Sequence, residues 1–233
     1  AKKNIDLVFR SSGVATCENI EELFTTGVEK NPSDTAMLRK VITMLTETGC
    51  QGSELFYKAA TRLYETDPSA ASAAQLAEMN VARKKYSEAE KYYTEAIELE
   101  TNKVVKSGLL TKLATIELTS DNKQAARDFA KAAYSLDPSN GNALYIIAEA
   151  YAGARVGEAF ENQTVYWVVV DYLVRAKNTD PNLKSQADER IAIYSRLYPT
   201  KEEAFFRSLV NEGAAYTVGG WVNEPTTIRF RKQ

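Results

Sequence analysis

Apolar side chains fall along this chain with a helical period, and they fall in paired runs. The cleanest pair lies within residues 70–101. Leu76 and Ala77 mark one run, and Ala89, Tyr93 and Ala96 mark the next at the spacing A-x3-Y-x2-A. Small residues at such positions let two antiparallel helices approach closely, while Leu and Tyr fill the groove between them. Tyr86-Ser87 is the predicted turn, with Ser87 as the N-cap of the second helix. Moved forward, the frame selects Leu110, Leu113-Ala114, Ala126, Ala130 and Ala133, then Leu144, Ile147-Ala148, Tyr151, Val169, Leu173 and Ala176. Moved back, it selects Leu38, Val41-Ile42 and Leu45, then a helix around Ser53, Tyr57 and Ala60.

Proline punctuates the same frame. Asn31-Pro32, Asp67-Pro68, Asp137-Pro138 and Asp180-Pro181 are separated by 36, 70 and 43 residues. A period of about 34 to 35 residues is that of stacked helical hairpins. The expected organisation is a half-repeat over 1–32, repeats near 33–68, 69–102, 103–138 and 139–181, and capping helices over 182–210. The half-repeat rests on Ile20, Phe24, Gly27 and Pro32, its partner helix lying upstream or within residues 4–10. The long last gap places roughly nine extra residues between the helices of its hairpin, at about 152–164. One capping helix is expected over 184–197, and another from Pro199 through Phe205, Phe206 and Leu209. Beyond Gly213 the period changes to alternation in Tyr216-Thr217-Val218, Trp221-Val222 and Ile228-Arg229-Phe230. Residues 211–233 are therefore expected as an extended tail or small hairpin laid on the last helical pair.

These residues resemble the tetratricopeptide repeat, whose pattern is W-x2-L-G-x2-Y, A-x3-F, A and P. The first-position Trp is missing, and Ala or Ile stands where Gly is usual; both remain small or apolar. The resemblance implies an all-α, right-handed solenoid of antiparallel hairpins, here with a short extended C-terminal tail. It also implies a concave face lined by the first helix of each hairpin. The candidate groove residues are Arg39, Lys40, Thr43 and Thr46; Gln75 and Glu78; Thr111, Lys112 and Thr115; Asn142, Tyr145 and Glu149; and Asp188. Relatives that hold a terminal carboxylate use a Lys, Asn and Arg clamp there. In this chain Glu78 and Glu149 stand opposite Arg39 and Lys112, so that clamp is not formed. The block from Tyr198 through Phe206, with Tyr216 through Glu224, looks like that of cell-envelope tetratricopeptide proteins of Bacteroidetes. That likeness implies a removed signal sequence and residence in the periplasm or envelope. Asp34-Thr35-Ala36 resembles an O-glycosylation site of that phylum, and Asp34 or Ser33 serves equally as a helix N-cap.

Composition narrows the chemistry. The 233 residues are 44% hydrophobic and 26% charged, enough to bury a core. With 31 acidic and 29 basic side chains the formal charge is −2, which gives no reason to expect nucleic acid. The cluster Arg229, Arg231, Lys232 is read as a solvated end. No apolar run approaches the roughly 20 residues of a membrane helix. The start, Ala1-Lys2-Lys3-Asn4, shows neither a signal peptide nor an initiator Met, as expected of a chain cut from something longer. Histidine is absent, which removes the usual general base, His-based nucleophile triads and most zinc chemistry. Cys17 and Cys50 lie 15 and 18 residues from Pro32, at the same open end of one hairpin. That placement permits a disulfide; two buried free thiols are the alternative.

The expected function is contact without turnover: a scaffold for a protein or peptide partner, with no cofactor, no metal and no membrane span, and a monomer. A structural subunit of a larger envelope assembly is the alternative. A hydrolase working through Glu78 and Glu149 is a third reading, set back by their separation of two repeats. Tyr166 and Trp167 are expected in the core and Trp221 as a cover over the last hairpin.

Overall fold

The structure, a computed structural model, describes residues 16–232; the helix expected within residues 4–10 lies outside them. The chain divides into two compact units, the first ending at Glu100 and the second beginning at Thr101.

The first unit contains α1 (Cys17–Lys30), α2 (Thr35–Glu47), α3 (Glu54–Thr66), α4 (Ala70–Ala82) and α5 (Tyr86–Leu99). Four of these begin on a hydroxyl or carboxylate that takes a backbone N–H: Thr16, Asp34, Ser53 and Ser69. Ile20, Leu38, Val41, Leu45, Leu63 and Leu76 are buried within one core. The disulfide forms: Cys17, at the first turn of α1, is bonded to Cys50, with 5.6 Å between the Cα atoms. It ties α1 to the α2–α3 turn.

That turn is made by Gly49 at φ +74°, and the same geometry recurs without glycine at Lys84 (φ +58°) and Asp121 (φ +60°). Each time the next residue donates back five positions: Cys50 to the Leu45 carbonyl, Lys85 to Asn80, and Asn122 to Glu117. These bonds satisfy carbonyls that a helix end leaves open. The turn before α5 is thus Arg83–Lys85. Tyr86 and Ser87 already belong to the helix, and its N-cap is Lys85, not Ser87.

The second unit contains α6 (Lys103–Thr119), α7 (Lys123–Leu136), α8 (Gly141–Tyr151), α9 (Ala159–Thr179), α10 (Lys184–Tyr194) and α11 (Lys201–Phe205), then strands β1 (Ala215–Val218) and β2 (Glu224–Thr227). Three-residue 3-10 turns flank α10 at Pro181–Leu183 and Ser195–Leu197. Of residues 152–164, expected between helices, only 152–158 connect them. The rest extend α9 at its N-terminus, so nearly half of the segment lengthens a helix. Asn162 closes the connection by accepting the Val156 and Gly157 amides at 2.7 and 3.2 Å. The helix expected to reach Leu209 stops at Phe205. Its Thr200–Glu203 capping box fixes the start, but Phe206 onward leaves the helix and Ser208 turns to φ +59°.

The tail is a two-stranded antiparallel hairpin. Val218 and Val222 join Tyr151, Val168 and Tyr172 in the core, against α8 and α9. Trp167 is fully buried, and its indole N–H donates to the Arg229 carbonyl at 2.7 Å. Arg229, read as a solvated end, instead donates to Asp171 at 2.7 Å. Trp221 packs against the same core, its ring 5.5 Å from Tyr151 of α8 and 5.2 Å from the Arg127 guanidinium of α7.

Candidate functional site

The candidate positions divide between the two units. In the first, Arg39 on α2 is ion-paired with Asp67. Thr43 and Thr46 each donate to the carbonyl four residues back, at 2.8 Å, so their hydroxyl protons are spent on their own helix. The Lys40 ammonium sits 5.5 Å from the Phe24 ring. On α4, Gln75 is half-buried and Glu78 exposed.

In the second unit, Thr111 and Thr115 likewise donate to carbonyls of α6, at 2.8 and 2.9 Å. Thr111 also accepts from Asn140, the N-cap of α8, at 2.8 Å. This contact sets α6 and α8 side by side. Lys112 and Asn142 are exposed. Asp188 takes Lys177 at 2.5 Å and Lys184 at 2.7 Å, and those hydrogen bonds hold its carboxyl below its ordinary value.

Two candidates are brought together with partners the sequence reading missed. Tyr145 and Glu149 lie one turn apart on α8; Arg190 and Tyr194 lie one turn apart on α10. The Arg190 Nε–H points to the Tyr145 hydroxyl at 3.4 Å and lies 3.4 Å from the Glu149 carboxylate. Glu149 Oε1 has no hydrogen bond of its own, and that ion pair is its compensation. Its other oxygen accepts from the Tyr194 hydroxyl at 3.1 Å. The Tyr194 ring stacks on Tyr166, their centroids 5.6 Å apart. Burial, then the Glu149 charge, pushes the Tyr194 hydroxyl up to about 12. The bond to Tyr145 and the Glu149 carboxylate raise Arg190 above its ordinary value. The result is a fixed guanidinium, tyrosine and carboxylate on the first helices of neighbouring hairpins. A signal existed: Tyr145 to Arg190 and Glu149 to Tyr194 are the same offset of 45 residues, one lengthened repeat.

Among the described residues no group of three or more His, Cys, Asp and Glu could hold a metal ion. Among the described residues, too, no helix is long and apolar enough to cross a membrane.

An all-α fold of helical hairpins, with first-helix faces carrying mixed polar side chains, is the fold of tetratricopeptide-repeat proteins. Comparison with solved structures supports this. The chain is similar to MamA, with a TM-score of 0.59 at 17% identity over 78% of this chain and 91% of MamA. MamA from Desulfovibrio magneticus RS-1 (residues 41 to the end) gives 0.52 at 12%, covering 76% and 86%. YrrB, a TPR protein with an unusual peptide-binding site, gives 0.51 at 14%, covering 80% and 84%. No protein-family model and no curated protein matches the chain.

Proposed function

We propose that this protein is a non-catalytic scaffold of the bacterial cell envelope that holds an extended or helical segment of a protein partner on its first-helix faces. The observation that carries the reading is the Tyr145–Glu149–Arg190–Tyr194 cluster. Its side chains are partly exposed and held by one another, so little conformational freedom is lost when a ligand docks. Tyr and Arg are the residue types that dominate binding hot spots. Terminal amines of Arg190 and the amide of Asn142 form no hydrogen bond among the described residues, which leaves them to a partner. The peptide-binding site of YrrB, a protein of the same fold, lends support. Arg39, Thr43, Gln75 and Glu78 in the first unit, and Thr111, Lys112 and Thr115 in the second, make up the remaining proposed contact positions. The envelope assignment is supported by the Cys17–Cys50 bridge, since such bonds persist in oxidising compartments.

The test is affinity capture from envelope extract with the full chain, repeated with Arg190→Ala and Tyr145→Ala. A specific partner should be retained by the parent chain. Each variant should weaken it by about tenfold or more, the scale of a hot-spot truncation. A partner held equally well by both variants would remove the cluster from the interface, and with it this reading.

A further inference from the structure

The C-terminal hairpin has two edges, and they differ. Its register sets Ala215 against Thr227, Tyr216 against Thr226, Thr217 against Pro225 and Val218 against Glu224. Antiparallel partners alternate between pairs that exchange both backbone bonds and pairs that exchange none. The Ile228 amide donates to the Ala214 carbonyl at 2.9 Å, which fixes the phase. Tyr216–Thr226 and Val218–Glu224 are then bonded pairs; Ala215–Thr227 and Thr217–Pro225 are not. Pro225, with no N–H to give, fits the second set. The N–H and C=O groups of Ala215 and Thr217 consequently point away from β2. Both residues are exposed, and these groups find no partner among the described residues.

The β2 edge is blunted. Pro225 removes a donor, and Arg229 Nε donates to the Thr227 carbonyl at 3.3 Å. Folded proteins blunt exposed strand edges with proline, lysine or other charges. The residues Ala-Tyr-Thr-Val of β1 carry none of these.

We propose that β1 pairs antiparallel with β1 of a second copy of this chain, making a four-stranded sheet about a twofold axis at Tyr216. Ala215 and Thr217 flank Tyr216. That axis therefore sets Ala215 opposite the partner's Thr217, and Thr217 opposite the partner's Ala215. Both become bonded pairs, and all four outward groups on each strand are used. Ala215 and Thr217 carry small uncharged side chains, and Tyr216 on the axis meets its own copy as an uncharged aromatic pair, so no like-charge repulsion opposes the pairing. A formal charge of −2 per chain adds little long-range repulsion. With one open edge per chain the pairing closes at two copies and cannot propagate. A strand of four residues covers much less than the roughly 800 Å² per partner of a stable interface. The dimer is accordingly weak and forms only where the protein is concentrated.

Sedimentation of the full chain from micromolar to millimolar concentration tests this, together with amide hydrogen exchange. The expected result is a concentration-dependent monomer–dimer equilibrium, with protection of the Ala215 and Thr217 amides rising about tenfold as the dimer fills. Thr217→Pro removes the outward N–H and leaves the hairpin's own bonds intact, because position 217 lies in an unbonded pair. Thr217→Lys charges the edge without altering the backbone. Both should stay monomeric with an unchanged helical signal. A parent chain that remains monomeric at millimolar concentration would overturn the proposal. So would a dimer that survives both variants, or one whose Ala215 and Thr217 amides exchange as freely as in the monomer.

Discussion

At the scale of single residues, Glu224 shows how the tail is held. Its carboxylate accepts from Lys131 at 2.5 Å, Tyr151 at 2.9 Å and Tyr172 at 3.1 Å, so one side chain of β2 engages α7, α8 and α9. Burial alone would raise the Glu224 pKa. The bonds from Lys131, Tyr151 and Tyr172 outweigh it and leave the group below its ordinary value. The same contact, after burial, pushes Tyr172 up to about 12 and raises Tyr151 further. A carboxyl whose folded value is depressed stabilises the fold above its unfolded pKa, near 4.3. That contribution is lost as pH falls through the folded value. Glu224→Ala should therefore cost about 1–3 kcal/mol near neutral pH, because the buried Tyr151 and Tyr172 hydroxyls lose their acceptor. In Glu224→Gln, stability should fall less steeply below pH ~4 than in the parent chain. Urea unfolding at several pH values measures both. Nothing in the spacing of the sequence singled out Glu224, since its three partners come from helices distant in the chain.

Among elements, glycine separates packing from propensity. Gly141 opens α8 against the end of α9. A Cβ there would lie 2.6 Å from the Asp180 Cβ and 3.0 Å from the Ala176 carbonyl. Gly108 stands in mid-α6, where a Cβ would meet nothing within 4 Å. Gly108→Ala should thus stabilise by about 0.5–1 kcal/mol, the helix-propensity gain. Gly141→Ala should destabilise by about 1–3 kcal/mol, as overpacking does. Thermal melts of the two variants should move in opposite directions. Helix positions were legible for a related reason: Leu38, Val41, Ile42 and Leu45 recur at the three- and four-residue spacing of one helix face, and all are buried. The turns were less so. Lys84 and Asp121 adopt a left-handed conformation that glycine usually marks, and neither residue type announces it. The end of α11 was missed because Phe205 and Phe206 continue an apolar run, yet both stay exposed, at 67% and 84%.

For the whole molecule, repetition made the fold readable and the site only half so. First-helix positions follow from the frame, which is how Tyr145, Glu149 and, past the lengthened repeat, Asp188 were reached; Arg190 and Tyr194 stand on the same helix as Asp188 at positions that the frame does not select. Repeat arrays divide their stability among units and nearest neighbours, so a constraint in one unit should act mainly there. The Cys17–Cys50 bridge spans 33 residues and lies wholly in the first unit. In the chain-entropy account, closing a loop of that size contributes about 3–4 kcal/mol. Its loss falls hardest on α1, which is held otherwise by Ile20, Phe24 and Val28 against the first core. Reduction, or paired Cys17→Ser and Cys50→Ser substitution, should accelerate amide exchange in α1 and then through α2 and α3. The amides of α8 and α9, whose core is built from Leu144, Val168, Val169 and Leu173, should keep their protection. Exchange rising equally in α9 would mean that the two units unfold as one and that the bridge stabilises the entire array. Unchanged exchange in α1 would mean that its apolar face alone suffices to hold it.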